Sequence, residues 1–142
     1  MNTGAPLPQP RLGLALSSGG AKGLAHVGVL QVLEENRIPV SVVSGCSMGS
    51  YIGALWAYGC DGAELGRLAM ELKGRWGAWK LIDPALPPRR GFIHGDAVER
   101  RLRRTIGDTR FIGLKCPLRV VATDLNTLAP MVFDSGEVAN AV

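Results

Sequence analysis

The chain has 142 residues, of which 46% are hydrophobic and 20% are charged, and its formal net charge is +4. This length and composition predict one globular domain after a loose lead-in over residues 1–10, and they exclude extended disorder. No run approaches the roughly 18 apolar residues of a membrane span, and no secretory signal is recognisable, so we expect a cytoplasmic protein, either soluble or peripheral at the inner membrane surface.

The first half of the chain alternates between strand and helix patterns. The apolar run LGLAL at 12–16 predicts a buried strand that ends in a glycine-rich turn. Residues 21–36 have apolar positions at helical spacing, and Pro39 ends that segment. Residues 40–44 then predict a second buried strand, and residues 48–58 predict a helix packed in the core. Strand, helix and strand in this order form a βαβ unit with a right-handed crossover.

The second half continues the pattern after an irregular stretch. Residues 61–73 predict an amphipathic helix, and GRWGAWKLIDPALPPRRGFIHG after it predicts an irregular excursion because it is rich in Gly, Pro and Trp. Four further elements are predicted: a basic helix at 95–106, a strand at 118–125, a strand ending in a turn at 130–136, and the start of a helix at 137–142. The order predicts an α/β fold with a mainly parallel sheet flanked by helices.

Arginines are concentrated around the basic helix: Arg89, Arg90, Arg100, Arg101, Arg103, Arg104 and Arg110. The simpler interpretation is a solvated helix face, because Asp96, Glu99 and Asp108 stand among them. The alternative is attraction to an anionic surface, with peripheral contact to an anionic membrane. Interleaved aromatic residues for base stacking are absent, so we expect no nucleic-acid partner.

The cysteines do not predict a disulfide framework or a metal site. The chain has three cysteines, Cys46, Cys60 and Cys116, without paired spacing. An odd number of unpaired cysteines is typical of proteins in the reducing cytosol. No CxxC or HxxxH spacing occurs, so we expect neither a metal nor another cofactor.

The stretch Gly45-Cys46-Ser47-Met48-Gly49 fits the pattern G-x-S-x-G between a predicted strand and a predicted helix. In that context the pattern indicates a nucleophile elbow, a sharp turn that exposes the serine oxygen at the head of a helix. The helix dipole there favours negative charge, and the amide of Met48 is free to donate. The alternative is a purely structural turn.

The earlier turn supplies what acyl transfer needs besides a nucleophile. Gly19, Gly20, Ala21, Lys22 and Gly23 can direct several backbone amides towards an oxyanion. The carboxyl ends of parallel strands meet at one edge of a sheet, so this turn is expected beside Ser47. A nucleotide site is disfavoured because Ser18 holds the first position of an incomplete G-x-G-x-x-G, and no Walker pattern occurs.

The stretches LALSSGGAKGLAHVGVLQVLEE and VVSGCSMGSYIGAL resemble the patatin-like phospholipase family, as do RGFIHGDAVERRLRR and PLRVVATDLNT. The resemblance covers residues 12–142 and implies a three-layer α/β/α domain over 11–142. It also implies a serine acyl hydrolase with a Ser-Asp dyad that acts on phospholipids or other acyl esters. Ser47 would be the nucleophile and Gly19, Gly20, Ala21, Lys22 and Gly23 the oxyanion loop, with Ser18 replacing the family's usual first glycine.

The family's catalytic aspartate does not have a match. It stands in an Asp-Gly turn after the region where this chain stops, so the resemblance implies a domain truncated before that turn. Asp61 lies too early, Asp134 is a poor match, and Asp124 is expected to be a structural residue at the end of a strand.

Several other residues have two interpretations. His26 is either a base for Ser47 or a hydrogen-bonded helix residue. Lys22 either binds a lipid phosphate or is an exposed loop residue without a specific role. Cys46 is expected to be a small buried residue that fills space in the core, and His94 is expected to be exposed. The tryptophans are either core and rim anchors or an interfacial contact: Trp56, Trp76 and Trp79.

Two other functions compete with a hydrolase. An acyl-CoA transacylase of similar fold pairs its serine with a downstream histidine, and no histidine follows His94. A catalytically inactive lipid-binding or regulatory module would need no base.

Overall fold

A computed structural model describes residues 11–72 and 95–142 of the chain. Within these ranges the strands form one sheet in sequence order: β1 (Leu12–Leu16), β2 (Val40–Gly45), β3 (Leu118–Thr123) and β4 (Pro130–Phe133). The α-helices are α1 (Ala25–Glu35), α2 (Met48–Tyr58), α3 (Gly62–Glu71), α4 (Asp96–Ile106) and α5 (Val138–Ala141), and 3₁₀ helices span Gly20–Leu24 and Phe111–Gly113. The predicted lead-in, the irregular excursion, Trp76, Trp79, Arg89, Arg90 and His94 lie outside the described residues.

The mainly parallel sheet with flanking helices is confirmed. β1, β2 and β3 are parallel, and β4 is antiparallel to β3. Leu16 is paired with Gly45, which is in turn paired with Val120, so these residues form one row across the sheet. The chain therefore leaves all three parallel strands on the same side, which we call the carboxyl edge. The opposite side, where the parallel strands begin, is the amino edge.

Two element boundaries differ from the sequence prediction for local reasons. The helix expected from residue 21 starts as a 3₁₀ turn, because Gly20 has φ 53° and the α-helix begins only at Ala25. The strand expected to reach residue 125 ends at Thr123, because the Asp124 carboxylate accepts the backbone N–H groups of Asn126 and Thr127. Those bonds turn the chain into the hairpin that leads to β4.

The core lies between one face of the sheet and α2. α2 packs on β1, β2 and β3, with Gly53 against the side chains of Leu16, Val43 and Leu118. The opposite face of the sheet carries Ala15, which is exposed in the described part of the chain. α2 is almost wholly buried, so its first turn is held firmly at the carboxyl edge.

The three cysteines are free thiols. Cys46 is half-buried, and burial raises the pKa of the Cys60 thiol to about 11. Such a thiol stays protonated at neutral pH and is a poor nucleophile. Within residues 11–72 and 95–142 no helix is long and apolar enough to cross a membrane.

Candidate active site

Ser47 lies at the carboxyl edge between β2 and α2, in a backbone conformation that non-glycine residues rarely adopt. Its φ is 52° and its ψ is −123°, and the residue is exposed to solvent. Such a conformation costs about 1–3 kcal/mol and persists only where the surroundings impose it. The Ser47 carbonyl accepts the N–H groups of Ser50 (2.9 Å) and Tyr51 (3.1 Å) and the Ser50 hydroxyl (2.6 Å). These donors hold the strained turn, which spans Gly45–Gly49 and which we call the Ser47 turn.

The two glycines of the Ser47 turn are required by close backbone contacts. A Cβ at Gly45 would lie 2.5 Å from the carbonyl oxygen of Gly49. A Cβ at Gly49 would lie 2.2 Å from the carbonyl oxygen of Leu16 and 2.6 Å from that of Ser17. The obstructing atoms are all backbone, so they cannot move aside as a flexible side chain could. The first turn of α2 is thereby pressed against the end of β1.

We expect Gly49→Ala to lower the free energy of unfolding by about 3 kcal/mol, at the upper end of overpacking effects, because its Cβ meets two backbone carbonyls. Gly28→Ala is the matched control, since Gly28 lies in α1 with nothing within 4 Å of an added Cβ. That change should raise stability by up to about 1 kcal/mol through helix propensity. Urea denaturation of both variants checks the difference, and equal stability would show that the close approach at Gly49 is relaxed in solution.

The residues predicted as an oxyanion loop, Gly19–Gly23, follow β1 at the same edge and enter the first 3₁₀ helix. Lys22 donates its backbone N–H to the Gly19 carbonyl at 3.0 Å. In the described part of the chain the N–H groups of Gly19, Gly20 and Ala21 have no acceptor. Gly20 and Ala21 are exposed, and a Cβ at Gly20 would meet nothing within 4 Å. The loop therefore offers unpaired donors beside open space.

The loop and the Ser47 turn are in direct contact. A Cβ on Gly23 would lie 2.6 Å from Cγ of Met48, so the loop closes over that side chain only because Gly23 has none. The backbone N–H of Cys46 donates to the Leu16 carbonyl at 3.1 Å. The N–H of Met48, at the head of α2, has no acceptor among the described residues. Free donors from both turns thus lie on one side of the sheet with the Ser47 hydroxyl.

His26 is bonded to the backbone of the same region. Its Nε2 lies 2.8 Å from the Ser17 carbonyl oxygen, so in the matching tautomer Nε2–H donates to that oxygen. The ring is half-buried. This geometry favours the interpretation of a hydrogen-bonded helix residue that fixes the connection between β1 and the loop.

The aspartates considered as bases have other partners. Asp124 accepts the backbone N–H groups of Asn126 (2.7 Å) and Thr127 (3.0 Å), which lower the pKa of its carboxyl group, the bond from Thr127 having the larger effect. Asp134 pairs with Arg119, and Asp61 caps α3 by accepting the N–H of Glu64 at 2.8 Å. Among the described residues no carboxylate or imidazole hydrogen-bonds the Ser47 hydroxyl.

Ser50 supports the Ser47 turn, and no motif in the sequence pointed to it. It is 1% exposed, and its hydroxyl bonds the carbonyl of Ser47. The only signal in the sequence is a hydroxyl three residues after the central serine in an otherwise apolar helix. Next to it, burial raises the pKa of the Tyr51 phenol. Ser50 contacts Ser47 at its backbone carbonyl.

The arginines of the basic helix are largely paired within the chain. Arg101 bonds Glu71 at 2.7 Å, and Arg103 bonds Glu99 at 2.8 Å and Glu137 at 2.7 Å. Glu137 follows β4, so Arg103 lies towards the amino edge, away from Ser47. These pairs favour the solvated-face interpretation. Contact of the cluster with an anionic membrane stays a prediction.

A groove of about 550 Å³ also lies at the amino edge. Its walls include Phe111, Ile112, Leu118, Arg119 and Asp134. The first residue of β3, Leu118, lines this groove and pairs with Val43, two residues before Gly45, so the groove is offset from the Ser47 turn towards the amino edge.

Comparison with known proteins identifies relatives. A family model described as "Patatin-like phospholipase" matches residues 14–142. Lysophospholipase nte1 of Aspergillus fumigatus is 34% identical over 128 residues, which cover 89% of this chain and 8% of that protein. Lysophospholipase NTE1 of Saccharomyces cerevisiae is 36% identical over 100 residues, covering 70% of this chain and 6% of that protein. The chain therefore spans less than a tenth of the length of these curated relatives.

A solved structure shares the fold. The crystal structure of the type III effector protein ExoU superposes with a TM-score of 0.60 at 21% identity, covering 94% of this chain and 38% of that chain.

Proposed function

The chain belongs to the patatin-like phospholipase family, and from this membership and the strained Ser47 turn we propose that it is a serine hydrolase of lipid acyl esters. The substrates are phospholipids, lysophospholipids or related esters. The observation that carries the proposal is the exposed Ser47, held at φ 52° beside free backbone donors. A residue strained at this point of a strand-to-helix turn supports the proposal, because a nucleophile elbow has this geometry.

In the proposed reaction the Ser47 hydroxyl oxygen attacks the ester carbonyl carbon while its proton passes to a base. The carbonyl oxygen becomes an oxyanion, which accepts N–H groups from Gly19, Gly20, Ala21 and Met48. Collapse of this intermediate expels the alcohol, which takes up the proton, and leaves Ser47 acylated. Water then attacks the acyl-enzyme in the same way and releases the fatty acid. Each oxyanion donor of this kind stabilises the transition state by about 3–4 kcal/mol.

We propose that the base is an aspartate in a Ser-Asp dyad, as the family resemblance implies, and that it lies outside these 142 residues. Asp61, Asp124 and Asp134 each serve a cap, a turn or an ion pair. The second candidate function is an inactive lipid-binding or regulatory module of the same fold. It is favoured by the absence of any bond from a described carboxylate to Ser47.

Covalent labelling tests the proposal. A fluorophosphonate probe should label the domain that includes the proposed aspartate, and Ser47→Ala should remove the label, because the probe reacts only with an activated serine. Ser41→Ala is the matched control, since Ser41 is an exposed serine at the other end of β2. Labelling that persists in Ser47→Ala would remove Ser47 from the mechanism, and a domain that is never labelled would favour the inactive module.

A further inference from the structure

The hairpin between β3 and β4 exposes two leucines at its tip. Leu125 is 86% exposed and Leu128 is 77% exposed, while Leu118 at the start of β3 is buried. The loop that carries them, residues 124–129, we call the hairpin tip. Two exposed leucines within one short loop form a small apolar surface that an apolar partner could cover.

The register of the sheet places the hairpin tip beside the Ser47 turn. Gly45, where β2 ends, is paired with Val120, and β3 continues to Thr123. At about 3.3 Å per residue, β3 therefore extends roughly 10 Å past the end of β2. Neighbouring strands are about 4.8 Å apart, so the hairpin stands next to the Ser47 turn and projects beyond it. The tip is the part of this edge that reaches an approaching surface first.

The hairpin tip is held by internal hydrogen bonds. Asp124 accepts two backbone N–H groups through its carboxylate, its own N–H donates to the Ala129 carbonyl at 2.9 Å, and its carbonyl accepts the N–H of Leu128 at 2.8 Å. Leu128 has φ 56°, a conformation that glycine or asparagine adopts with less strain. A leucine is thus kept in a strained conformation with its side chain in water, which is unfavourable for folding and indicates a role in binding.

The charges around the tip suit a phospholipid surface. Lys22, in the oxyanion loop at the same edge, is exposed and has no carboxylate partner among the described residues. The Asp124 carboxylate at the tip carries a negative charge, and its Oδ1 accepts both backbone N–H groups. A cation at the same edge of the sheet as two exposed leucines matches a bilayer interface, where phosphates lie above acyl chains.

We propose that Leu125 and Leu128 insert into the surface of a phospholipid bilayer and so bring the carboxyl edge, with Ser47, against its lipid substrate. The identity of that substrate rests on the proposed function, whereas insertion itself does not. Two arginines of α4, Arg101 and Arg103, are paired within the chain, so the proposal does not depend on them.

Vesicle sedimentation tests the insertion. The 142-residue chain is mixed with vesicles of phosphatidylcholine and phosphatidylglycerol, and bound protein is measured at low and high salt. In the double variant Leu125→Ser with Leu128→Ser, vesicle binding should be at least roughly ten-fold weaker, because two exposed leucines no longer enter the bilayer. Ile112→Ser is the matched control, since Ile112 is 95% exposed at the amino edge, and it should bind like the unaltered chain.

A second measurement follows the tip directly. With the native Trp56, Trp76 and Trp79 replaced by phenylalanine, the fluorescence of Leu125→Trp should be quenched by lipids brominated in the acyl chain, and that of Ile112→Trp should not. Equal binding of all three chains overturns the proposal. The proposal is also overturned if high salt abolishes binding and the double variant binds like the unaltered chain. That result would show that the arginines around α4, and not the leucines, contact the membrane. If the tip is covered in a longer form of the chain, Leu125→Trp in that form will resist quenching, which also overturns it.

Failure of this proposal is distinguishable from failure of the proposed function. Sedimentation and quenching require no hydrolysis, so vesicle binding with an unlabelled Ser47 would remove the hydrolase and keep the insertion. Labelling of Ser47 without vesicle binding would keep the hydrolase and remove the insertion.

Discussion

Gly20→Leu is expected to lower ester turnover roughly 100-fold or more in the domain that includes the proposed aspartate. The Cβ of the new residue would enter open space next to the free N–H groups of Gly19, Gly20 and Ala21, where the substrate carbonyl must sit. The leucine keeps its backbone N–H, but its side chain would hold the carbonyl oxygen away from at least one donor, and each donor lost in this way costs about 3–4 kcal/mol of barrier, a factor of about 10²–10³. The measurement is the initial rate with a soluble p-nitrophenyl ester.

Gly107→Leu separates this effect from backbone strain. Gly107 has φ 59° and, like Gly20 with φ 53°, has nothing within 4 Å of an added Cβ. It ends α4 and belongs to neither the oxyanion loop nor the Ser47 turn. Both variants should therefore lose similar folding stability because leucine is strained at positive φ, and only Gly20→Leu should lose turnover. Similar turnover in the two would mean that the loop does not bind the oxyanion.

The strands and α2 could be predicted from the sequence because their signals are local. Short apolar runs bounded by glycine or proline give β1 and β2, and α2 spans the predicted residues 48–58. The start of α1 could not be predicted, since apolar spacing does not show that Gly20 takes a positive φ. The end of β3 was missed because Leu125 continues the apolar run, whereas the Asp124 carboxylate turns the chain one residue earlier.

The approximate position of the candidate site was also predictable, and its geometry was not. Parallel pairing of β1 with β2 brings the glycine loop and Ser47 to one edge, as the βαβ pattern implies. The strain at Ser47 depends on contacts between distant residues, such as Gly49 against the carbonyl of Leu16. The bond from Ser50 likewise appears only once α2 is placed. The spacing of residues along a single sequence does not reveal such contacts between distant residues.

The chain of 142 residues is expected to hydrolyse a soluble ester roughly 100- to 10,000-fold more slowly than a form extended through the proposed Asp-Gly turn. Serine is a weak nucleophile at neutral pH, and a positioned base contributes a factor of about 10²–10⁴. The described groups that could replace it are engaged, His26 with the Ser17 carbonyl and Asp124 with two backbone N–H groups. Some turnover should remain, because oxyanion donors act without the base.

The two forms are compared with the same p-nitrophenyl ester, and Ser47→Ala in each sets the background rate. In the extended form, replacing the aspartate of the added turn by asparagine should return turnover to that of the shorter chain, since asparagine keeps the size and cannot take the proton. Comparable turnover by the two unaltered forms would place a base within residues 1–142. His26→Ala and Asp124→Ala would then identify it: loss of activity in His26→Ala would require the ring to leave the Ser17 carbonyl, and loss in Asp124→Ala would require the hairpin turn to open.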